Sequence, residues 1–160
     1  ESFQCGQEDL DRFFRRHAAS NQFREHIGTT YVAVEGSRIL GFATVAAAGI
    51  LGDEFPSTRS RKLPRYPLPA LRLARMAVER SQQGRGIGSA LLRHVFELAL
   101  TLADMASCVG VLVDAKPESV TFYTRFGFER HTAVEGAAEA IPAPVAMFLH
   151  LDTIRKAKAR

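Results

Sequence analysis

Apolar residues in the first half of the chain follow a helical spacing and then change to strand-like runs. Apolar positions 10, 13, 14 and 18 lie on one face of a helix predicted over Glu8–Phe23. Residues 51–69 contain four prolines and few aliphatic residues, which predicts an irregular loop. The predicted strands of this half are Tyr31–Val34, Ile39–Ile50 and Leu71–Val78, the first two joined by a turn at Gly36-Ser37.

The second half alternates between helices and strands. Apolar positions 91, 95, 98 and 102 predict a helix after Gly88 that runs to about Ala103. Pro117 suits the first turn of a further helix, which ends at Gly127. The predicted strands of this half are Val109–Val113, Phe128–Val134 and Val145–Leu151. The order α-β-β-β-α-β-α-β-β predicts a single mixed α/β domain over 1–160, with 152–160 as a frayed basic tail.

Composition narrows the class of protein. A chain of 160 residues that is 46% hydrophobic supports one core, and 24% charged residues exclude a disordered or fibrous class. The apolar stretch Ile39–Leu51 is too short to span a bilayer, so we expect no membrane association. Cys5 and Cys108 cannot form a disulfide framework, and no Cys/His cluster has zinc-like spacing. We therefore expect a reducing, cytoplasmic setting and no metal.

The net charge of +4 is distributed unevenly. Residues 58–75 contain six basic side chains and no acidic one, and such a local field favours a polyanion such as CoA or RNA. Ordinary solubility is the alternative explanation of the excess. The six residues are Arg59, Arg61, Lys62, Arg65, Arg72 and Arg75.

A glycine-rich turn carries most of the chemical information. The strand ending at Val78 runs into Gln83–Gly88, which opens directly onto an amphipathic helix. Glycine lets a backbone turn sharply and approach a ligand, and a helix N-terminus attracts anions through its free N–H groups and dipole. The alternative is a plain helix start with flexible glycines.

Three phosphate-binding motifs can be compared with this turn. A dinucleotide fingerprint fails because its third glycine falls on Ser89 or Leu91, and the Gly-Lys-Ser/Thr of a Walker loop is absent. The acyl-CoA motif of the GNAT acetyltransferases, Gln/Arg-x-x-Gly-x-Gly/Ala, is matched completely by Gln83, Gly86 and Gly88. The chain thus resembles the GNAT family over nearly its whole length.

The resemblance implies the GNAT fold and an acetyl-CoA cosubstrate. In that fold helices flank a central mixed β-sheet, and one splayed strand, here Arg75–Val78, pairs with the pantetheine arm. The family's first strand is expected to be trimmed or missing before Glu1. The implied acetyl-CoA-binding residues are Met76, Ala77, Val78, Gln83, Gly84, Arg85, Gly86, Ile87, Gly88 and Ser89.

Tyr123 is the implied catalytic residue. It lies in an aromatic block, Phe122–Phe128, that follows the Val111–Ala115 strand and resembles a second GNAT signature. The matching tyrosine of the family acts as general acid toward the departing CoA thiolate, a proton transfer that a phenol can make. The alternative is a plain core tyrosine.

The sequence does not single out a general base. Glu79 ends the central strand where some GNAT enzymes place one, although a surface carboxylate is an equal alternative, and His131 and Glu118 are weaker candidates. An α-amino group, with a pKa of about 7.7–8.0, is partly neutral at cellular pH, unlike lysine at about 10.4. A missing base therefore points toward an α-amine acceptor.

A narrower resemblance is carried by motifs outside the turn. They resemble the GNAT toxins of bacterial toxin–antitoxin pairs, which acetylate the α-amino group of aminoacyl-tRNA and block translation. The resemblance implies a ribbon-helix-helix antitoxin and a homodimer. The motifs are Phe3-Gln4-Cys5-Gly6, Leu10-Asp11-Arg12-Phe13, Thr30-Tyr31-Val32-Ala33-Val34, Ile39-Leu40-Gly41-Phe42, Leu63-Pro64-Arg65-Tyr66-Pro67-Leu68-Pro69 and Leu73-Ala74-Arg75-Met76-Ala77-Val78.

This interpretation gives the basic segment a function. Arg59, Arg61, Lys62 and Arg65 would contact tRNA phosphates, which raises affinity without reading sequence. Attraction of CoA phosphates alone is the alternative. Two other functions are compatible with the sequence: acetylation of a small-molecule or protein amine, and a catalytically idle CoA-binding regulatory module. Nucleic-acid binding as the sole function is disfavoured because no DNA-reading motif is present.

Overall fold

The computed structural model describes residues 2–55, 63–131 and 143–160. The helices are α1 (Glu8–Arg16), α2 (Ala18–Phe23), α3 (Ile87–Met105), α4 (Val120–Arg125) and α5 (Leu151–Lys158). The strands are β1 (Thr29–Glu35), β2 (Arg38–Ile50), β3 (Leu68–Val78), β4 (Gly110–Ala115), β5 (Glu129–Arg130) and β6 (Val145–His150). Short 3₁₀ turns cover Gly52–Glu54, Arg80–Gln82 and Pro117–Ser119.

The strands form one six-stranded sheet in the order β1-β2-β3-β4-β6-β5. Strand β1 pairs with β2, β4 with β6 and β5 with β6, each antiparallel. The predicted α/β class is confirmed. Among the described residues, no helix is long and apolar enough to cross a membrane.

The chain divides into two compact units, and the prediction of a single domain over 1–160 stays a prediction. The first unit contains residues up to 46 together with 73–97. Its core is an aromatic cluster around Phe42, which is fully buried, with the rings of Phe3, Phe13 and Phe14 at 5.6, 6.2 and 4.6 Å. Such pairs stabilise a core by about 0.5–1.5 kcal/mol each beyond the area they bury.

Gly41 brings β2 close to β3 and α3 within this unit. A Cβ atom at this position would lie 2.9 Å from the Ala77 carbonyl oxygen and 3.0 Å from Leu91 Cδ1. Only glycine lets the backbone approach so closely. The strand that ends at the glycine-rich turn and the helix that follows it are therefore both packed against β2.

The second unit contains the described residues of 47–72 and 98–160. The Phe55 ring meets the Phe148 ring edge to face, with centroids 4.9 Å apart. Arg72 and Asp114, on β3 and β4, form an exposed ion pair of 3.0 Å. The buried cluster of this unit is Ile50, Phe55, Leu68, Ala70, Leu112 and Phe148.

Two expectations about the ends of the chain were wrong. The helix predicted over Glu8–Phe23 is broken at His17, whose φ is −119°. Phe13 of α1 and Ala18 of α2 are nevertheless both buried in the core cluster that contains Phe42. The basic tail 152–160 is largely helical, because Leu151 and Ile154 are buried and the basic residues Arg155–Lys158 lie at the favourable C-terminal end of α5.

Smaller differences concern boundaries. The loop predicted over 51–69 is interrupted by a 3₁₀ turn, and β3 begins at Leu68 rather than Leu71. The strand predicted over Phe128–Val134 is observed as Glu129–Arg130, and residues 132–142 lie outside the described ranges.

Candidate active site

The turn after β3 begins with a capped 3₁₀ segment. The Glu79 carboxylate accepts from the Ser81 backbone N–H at 3.0 Å and from the Ser81 hydroxyl. Arg38 Nη2 lies 3.3 Å from the same carboxylate oxygen and donates to Ser81 Oγ at 2.9 Å. The Gln82 N–H donates to the Glu79 carbonyl oxygen at 2.9 Å. These bonds fix the direction in which the chain leaves the sheet.

Gly84 and Gly86 then adopt left-handed backbone conformations, with φ of 79° and 82°. A Cβ atom at either position would meet nothing within 4 Å, so the conformation, and not crowding, requires glycine. Helix α3 starts at Ile87, and the Ala90 N–H donates to the Gly86 carbonyl oxygen at 3.0 Å. The first N–H groups of a helix have no partner within the helix, so the turn delivers the positive end of a 19-residue helix to an open surface.

The Gln83 side chain connects the turn to the N-terminal segment and to the end of β3. Its amide nitrogen donates to the Cys5 carbonyl oxygen at 2.9 Å and to the Val78 carbonyl oxygen at 3.1 Å. An amide carries two N–H hydrogens, so both are used in these bonds. This geometry favours a role for Gln83 in shaping the turn over direct donation to a phosphate.

Two cations flank the glycines. Arg80 and Arg85 are exposed, and the Arg85 guanidinium donates to the side-chain oxygen of Gln82, which is buried. With the open N–H groups and the helix dipole, these charges make the turn suited to a phosphorylated ligand. The carboxylate nearest in sequence, Glu79, is neutralised by Arg38.

The remaining residues predicted to bind acetyl-CoA divide by burial. Ala77 is buried in the core cluster with Phe42, whereas Met76 and Val78 are half-buried. Gly88 and Ser89 are half-buried in the first turn of α3. The Ala77 side chain is therefore occupied by core packing.

Tyr123 lies in α4, in the second unit, and is 7% exposed. Its ring meets Phe122 at 5.1 Å and Phe128 at 5.4 Å, both edge to face. Its carbonyl oxygen accepts from the Phe126 N–H at 3.0 Å, which closes the end of the helix. Burial raises the pKa of the phenol to about 12, because the phenolate would be poorly solvated there. Tyr123 thus stays protonated throughout the physiological range, as a proton donor must.

The other candidates differ in their surroundings. Glu79 is engaged by Arg38 and Ser81, which favours a capping role over that of a base. Glu118 is exposed in the 3₁₀ turn before α4, and His131 is half-buried beyond β5. Arg65 is exposed. The predicted tRNA-contacting residues Arg59, Arg61 and Lys62 lie outside the described residues.

Sequence reasoning missed the residues that support the turn. Arg38 donates to Ser81, and Asp11 accepts from the N–H of Cys5, whose carbonyl oxygen accepts from Gln83; both residues lie far from the turn in the sequence, so their spacing predicts no contact. The only signal is that Asp11 stands in a motif, Leu10-Asp11-Arg12-Phe13, whose role the sequence does not explain. No group of side chains suited to a metal ion occurs in the described part of the chain.

Comparison with known proteins places these features in a family. Residues 26–130 match the acetyltransferase (GNAT) domain family. A tRNA-acetylating toxin of Mycobacterium tuberculosis is 33% identical over 129 residues, which cover 80% of this chain and 76% of that protein.

Two solved structures are similar over almost the whole chain. One is a tyrosine-to-phenylalanine mutant of KacT, with a TM-score of 0.85, 25% identity, and coverage of 97% of this chain and 89% of that chain. The other is AtaT complexed with acetyl-methionyl-tRNAfMet, with a TM-score of 0.83, 25% identity, and coverage of 98% and 89%. The glycine-rich turn, the order of the strands and these matches lead to one conclusion: the chain belongs to the GNAT acetyltransferase family.

Proposed function

We propose that this protein transfers acetyl from acetyl-CoA to the α-amino group of aminoacyl-tRNA and thereby blocks translation. The observation that carries the acetyl-CoA part is the turn from Glu79 to Gly88, where two left-handed glycines and two arginines surround the N-terminus of α3. The acceptor part rests on similarity to a tRNA-acetylating toxin and to AtaT complexed with acetyl-methionyl-tRNAfMet.

In this proposal the turn binds the phosphates of acetyl-CoA. Backbone N–H groups at Ile87, Gly88 and Ser89 donate to phosphate oxygens, and the arginines Arg80 and Arg85 supply neutralising charge. Met76 to Val78 present backbone groups to the rest of the cosubstrate. Gln83 contributes indirectly, by fixing the turn through its bonds to Cys5 and Val78.

Tyr123 supplies the proton that the reaction needs on sulfur. The amine nitrogen forms a bond to the acetyl carbonyl carbon, the carbon–sulfur bond breaks, and the Tyr123 hydroxyl donates its proton to the departing thiolate. The amine loses a proton to solvent, and the phenolate is reprotonated from solvent. A phenol with a pKa of about 12 is protonated at neutral pH, so Tyr123 carries its proton when the substrates bind.

The acceptor is an amine that does not depend on a strong base. The Glu79 carboxylate is engaged by Arg38 and Ser81, so it is poorly available for proton abstraction. The α-amino group of an aminoacyl ester is an α-amine, a class whose pKa of about 7.7–8.0 leaves a sizeable neutral fraction near pH 7.5. A lysine side chain, near 10.4, would be almost entirely charged.

The partners follow from the same proposal. Arg65 is exposed and is available to tRNA phosphates, and we propose the same role for Arg59, Arg61 and Lys62. A ribbon-helix-helix antitoxin, a homodimeric state and a cytoplasmic location remain predictions from the motifs and composition of the chain.

Transfer of labelled acetyl from acetyl-CoA to charged tRNA tests the proposal. We expect label on aminoacyl-tRNA and none on uncharged tRNA, with release of the label as N-acetyl amino acid after mild deacylation. Polyamines and peptide amines serve as competing acceptors in the same assay. Equal or faster labelling of those amines would overturn the tRNA assignment while leaving the acetyltransferase assignment intact.

In vitro translation provides an independent readout. We expect arrest when the protein and acetyl-CoA are both present, and unimpaired translation when either is omitted. Arrest without acetyl-CoA would contradict the proposal, because it would point to an effect other than acetyl transfer.

A further inference from the structure

The N-terminal segment before α1 is hydrogen-bonded to the glycine-rich turn. The Arg80 N–H donates to the Gln4 carbonyl oxygen at 2.7 Å, and Gln83 Nε2 donates to the Cys5 carbonyl oxygen at 2.9 Å. Gly6, with φ of 93°, turns the chain beside the Arg80 side chain, whose Cδ would lie 3.8 Å from a Cβ there. Two consecutive carbonyl groups of this segment therefore bind the turn.

Asp11 fixes the segment from the other side. It is 7% exposed, and its Oδ1 accepts from the Cys5 N–H at 2.8 Å. The Cys5 N–H and the Gln4 carbonyl belong to the same peptide group. A carboxylate bound to the N–H of a peptide polarises that peptide and strengthens the bond that its carbonyl accepts. The Asp11 carboxylate is thus connected through one peptide group to the Arg80 N–H.

Helix α1 supports the cofactor strand as well. The guanidinium carbon of Arg75, on β3, lies 4.0 Å from the centroid of the Phe13 ring, a cation–π contact. Phe13 packs in turn against Phe42 in the core. The helix that carries Asp11 is therefore anchored both to the core and to the strand that enters the turn.

We infer that Asp11 is a positioning residue for acetyl-CoA: through the Gln4–Cys5 peptide and the Cys5 carbonyl it holds Arg80 and Gln83 in the conformation that binds the phosphates. The inference rests on the proposed function, since it takes the turn to be the acetyl-CoA site. It assigns a role to the Phe3-Gln4-Cys5-Gly6 and Leu10-Asp11-Arg12-Phe13 motifs.

Substitution of Asp11 tests this chain of contacts. Asp11→Ala removes the acceptor and leaves the buried Cys5 N–H unpaired, and we expect acetyl-CoA to bind roughly tenfold more weakly. Asp11→Asn keeps an acceptor oxygen without the charge, and we expect a loss of about two- to threefold. The KM for acetyl-CoA should rise by these factors while kcat stays within about twofold, because Asp11 contacts no reacting atom.

Gln22→Ala is the matched control. Gln22 Oε1 accepts from the Thr30 backbone N–H at 2.9 Å, a half-buried side-chain-to-backbone bond in the same unit that does not involve the turn. We expect a lower melting temperature and an unchanged dissociation constant for acetyl-CoA. Hydrogen exchange without cosubstrate adds a readout that is independent of binding: the hydrogen-bonded amides of Arg80, Ser81 and Gln82 should exchange faster in Asp11→Ala and not in Gln22→Ala.

The outcomes separate the inference from the function on which it rests. Failure of the unaltered protein to bind acetyl-CoA in calorimetry would overturn the proposed function. Normal binding by the unaltered protein, with the same affinity in Asp11→Ala, would overturn the inference alone. Equal loss of affinity in Gln22→Ala would also overturn it, since a general loss of stability would then explain the effect. Should Asp11→Ala fail to fold, Asp11→Asn and its exchange rates decide the question.

Discussion

The glycine-rich turn and the Tyr123 block are built in opposite ways. The turn lies at an exposed surface, and its shape is fixed by the hydrogen bonds that Gln83 donates and by those that the carboxylates of Glu79 and Asp11 accept. Tyr123 is enclosed by aromatic rings, and its pKa is raised by desolvation alone. An anion site needs exposed N–H groups and nearby cationic side chains, whereas a weak acid that donates a proton must be kept from ionising beforehand. The chain meets these two needs with polar contacts in one unit and apolar contacts in the other.

Removal of the Tyr123 hydroxyl is expected to have the largest effect on catalysis. We expect Tyr123→Phe to lower kcat by about 10²–10⁴-fold, because the thiolate would leave without a positioned acid. Affinity for acetyl-CoA should change little. Stability should also change little, because the aromatic packing around the ring is kept. Steady-state kinetics with a thiol reagent, calorimetry and thermal unfolding measure the three quantities.

Tyr31→Phe is the control for that substitution. The Tyr31 ring also makes an edge-to-face contact, with His94 at 4.6 Å, but it lies in the other unit and has no proposed role in proton transfer. We expect its turnover to match that of the unaltered protein. Full turnover by Tyr123→Phe would show that the buried phenol is a core residue and not the acid.

Backbone conformation at the turn should have the next largest effect. Gly86→Ala places a Cβ atom on a residue with φ of 82°, which costs about 1–2 kcal/mol although the surrounding space is open. If the turn relaxes to avoid this strain, binding must restore it, and acetyl-CoA should bind about tenfold more weakly. Isothermal titration calorimetry measures the change.

Gly36→Ala is the control that distinguishes backbone strain in general from an effect on acetyl-CoA binding. Gly36 has φ of 59° in the hairpin between β1 and β2, and a Cβ atom there also meets nothing within 4 Å. Its melting temperature should fall much as in Gly86→Ala, while acetyl-CoA affinity stays unchanged. An equal loss of affinity in both variants would mean that the turn binds no phosphate.

The same contrast explains what the sequence could predict. Local signals sufficed for α3, whose apolar spacing is regular, and for the turn, whose glycines are needed for their own backbone angles. The break at His17 carries no glycine or proline, so no local signal marks it, and Phe13 and Ala18 on either side of it pack in a core formed with distant residues. The contact of Asp11 with Cys5, and of Cys5 with Gln83, likewise depends on tertiary structure. Helix α5 has only eight residues and its last turn is basic, so the spacing of its two buried residues, Leu151 and Ile154, is a weak signal.

The role of Glu79 gives a smaller effect. Its carboxylate caps the 3₁₀ turn by accepting from the Ser81 N–H, and an amide oxygen can accept the same bond. We therefore expect Glu79→Gln to change kcat/KM by less than about threefold, in line with the modest energy of a partly exposed ion pair with Arg38. A loss of a hundredfold or more, rescued at higher pH, would identify Glu79 as the base and contradict the capping role.

The smallest expected effect is on the alkaline side of the pH profile. The folded pKa of Tyr123, about 12, lies above the ordinary value of 10, so the donor form persists through pH 10. With aminoacyl-tRNA analogues that resist hydrolysis, kcat/KM should rise as the acceptor amine loses its proton near pH 8 and then vary by less than about twofold up to pH 10.

The stability of the fold also depends on pH in this range. A group whose pKa is higher in the folded protein than in the unfolded chain contributes stability below its unfolded pKa, and this contribution is lost as the pH rises through its folded pKa. Burial raises the pKa of Tyr123 to about 12 and that of Cys5 from 9.0 to about 11, so both groups act in this direction. Circular dichroism must therefore accompany the rates, because unfolding above pH 10 would imitate titration of the acid. A fall in kcat/KM near pH 9–10 in a protein that is still folded would mean that the phenol is solvated. The contrast between a buried acid and a solvent-exposed anion site would then not hold.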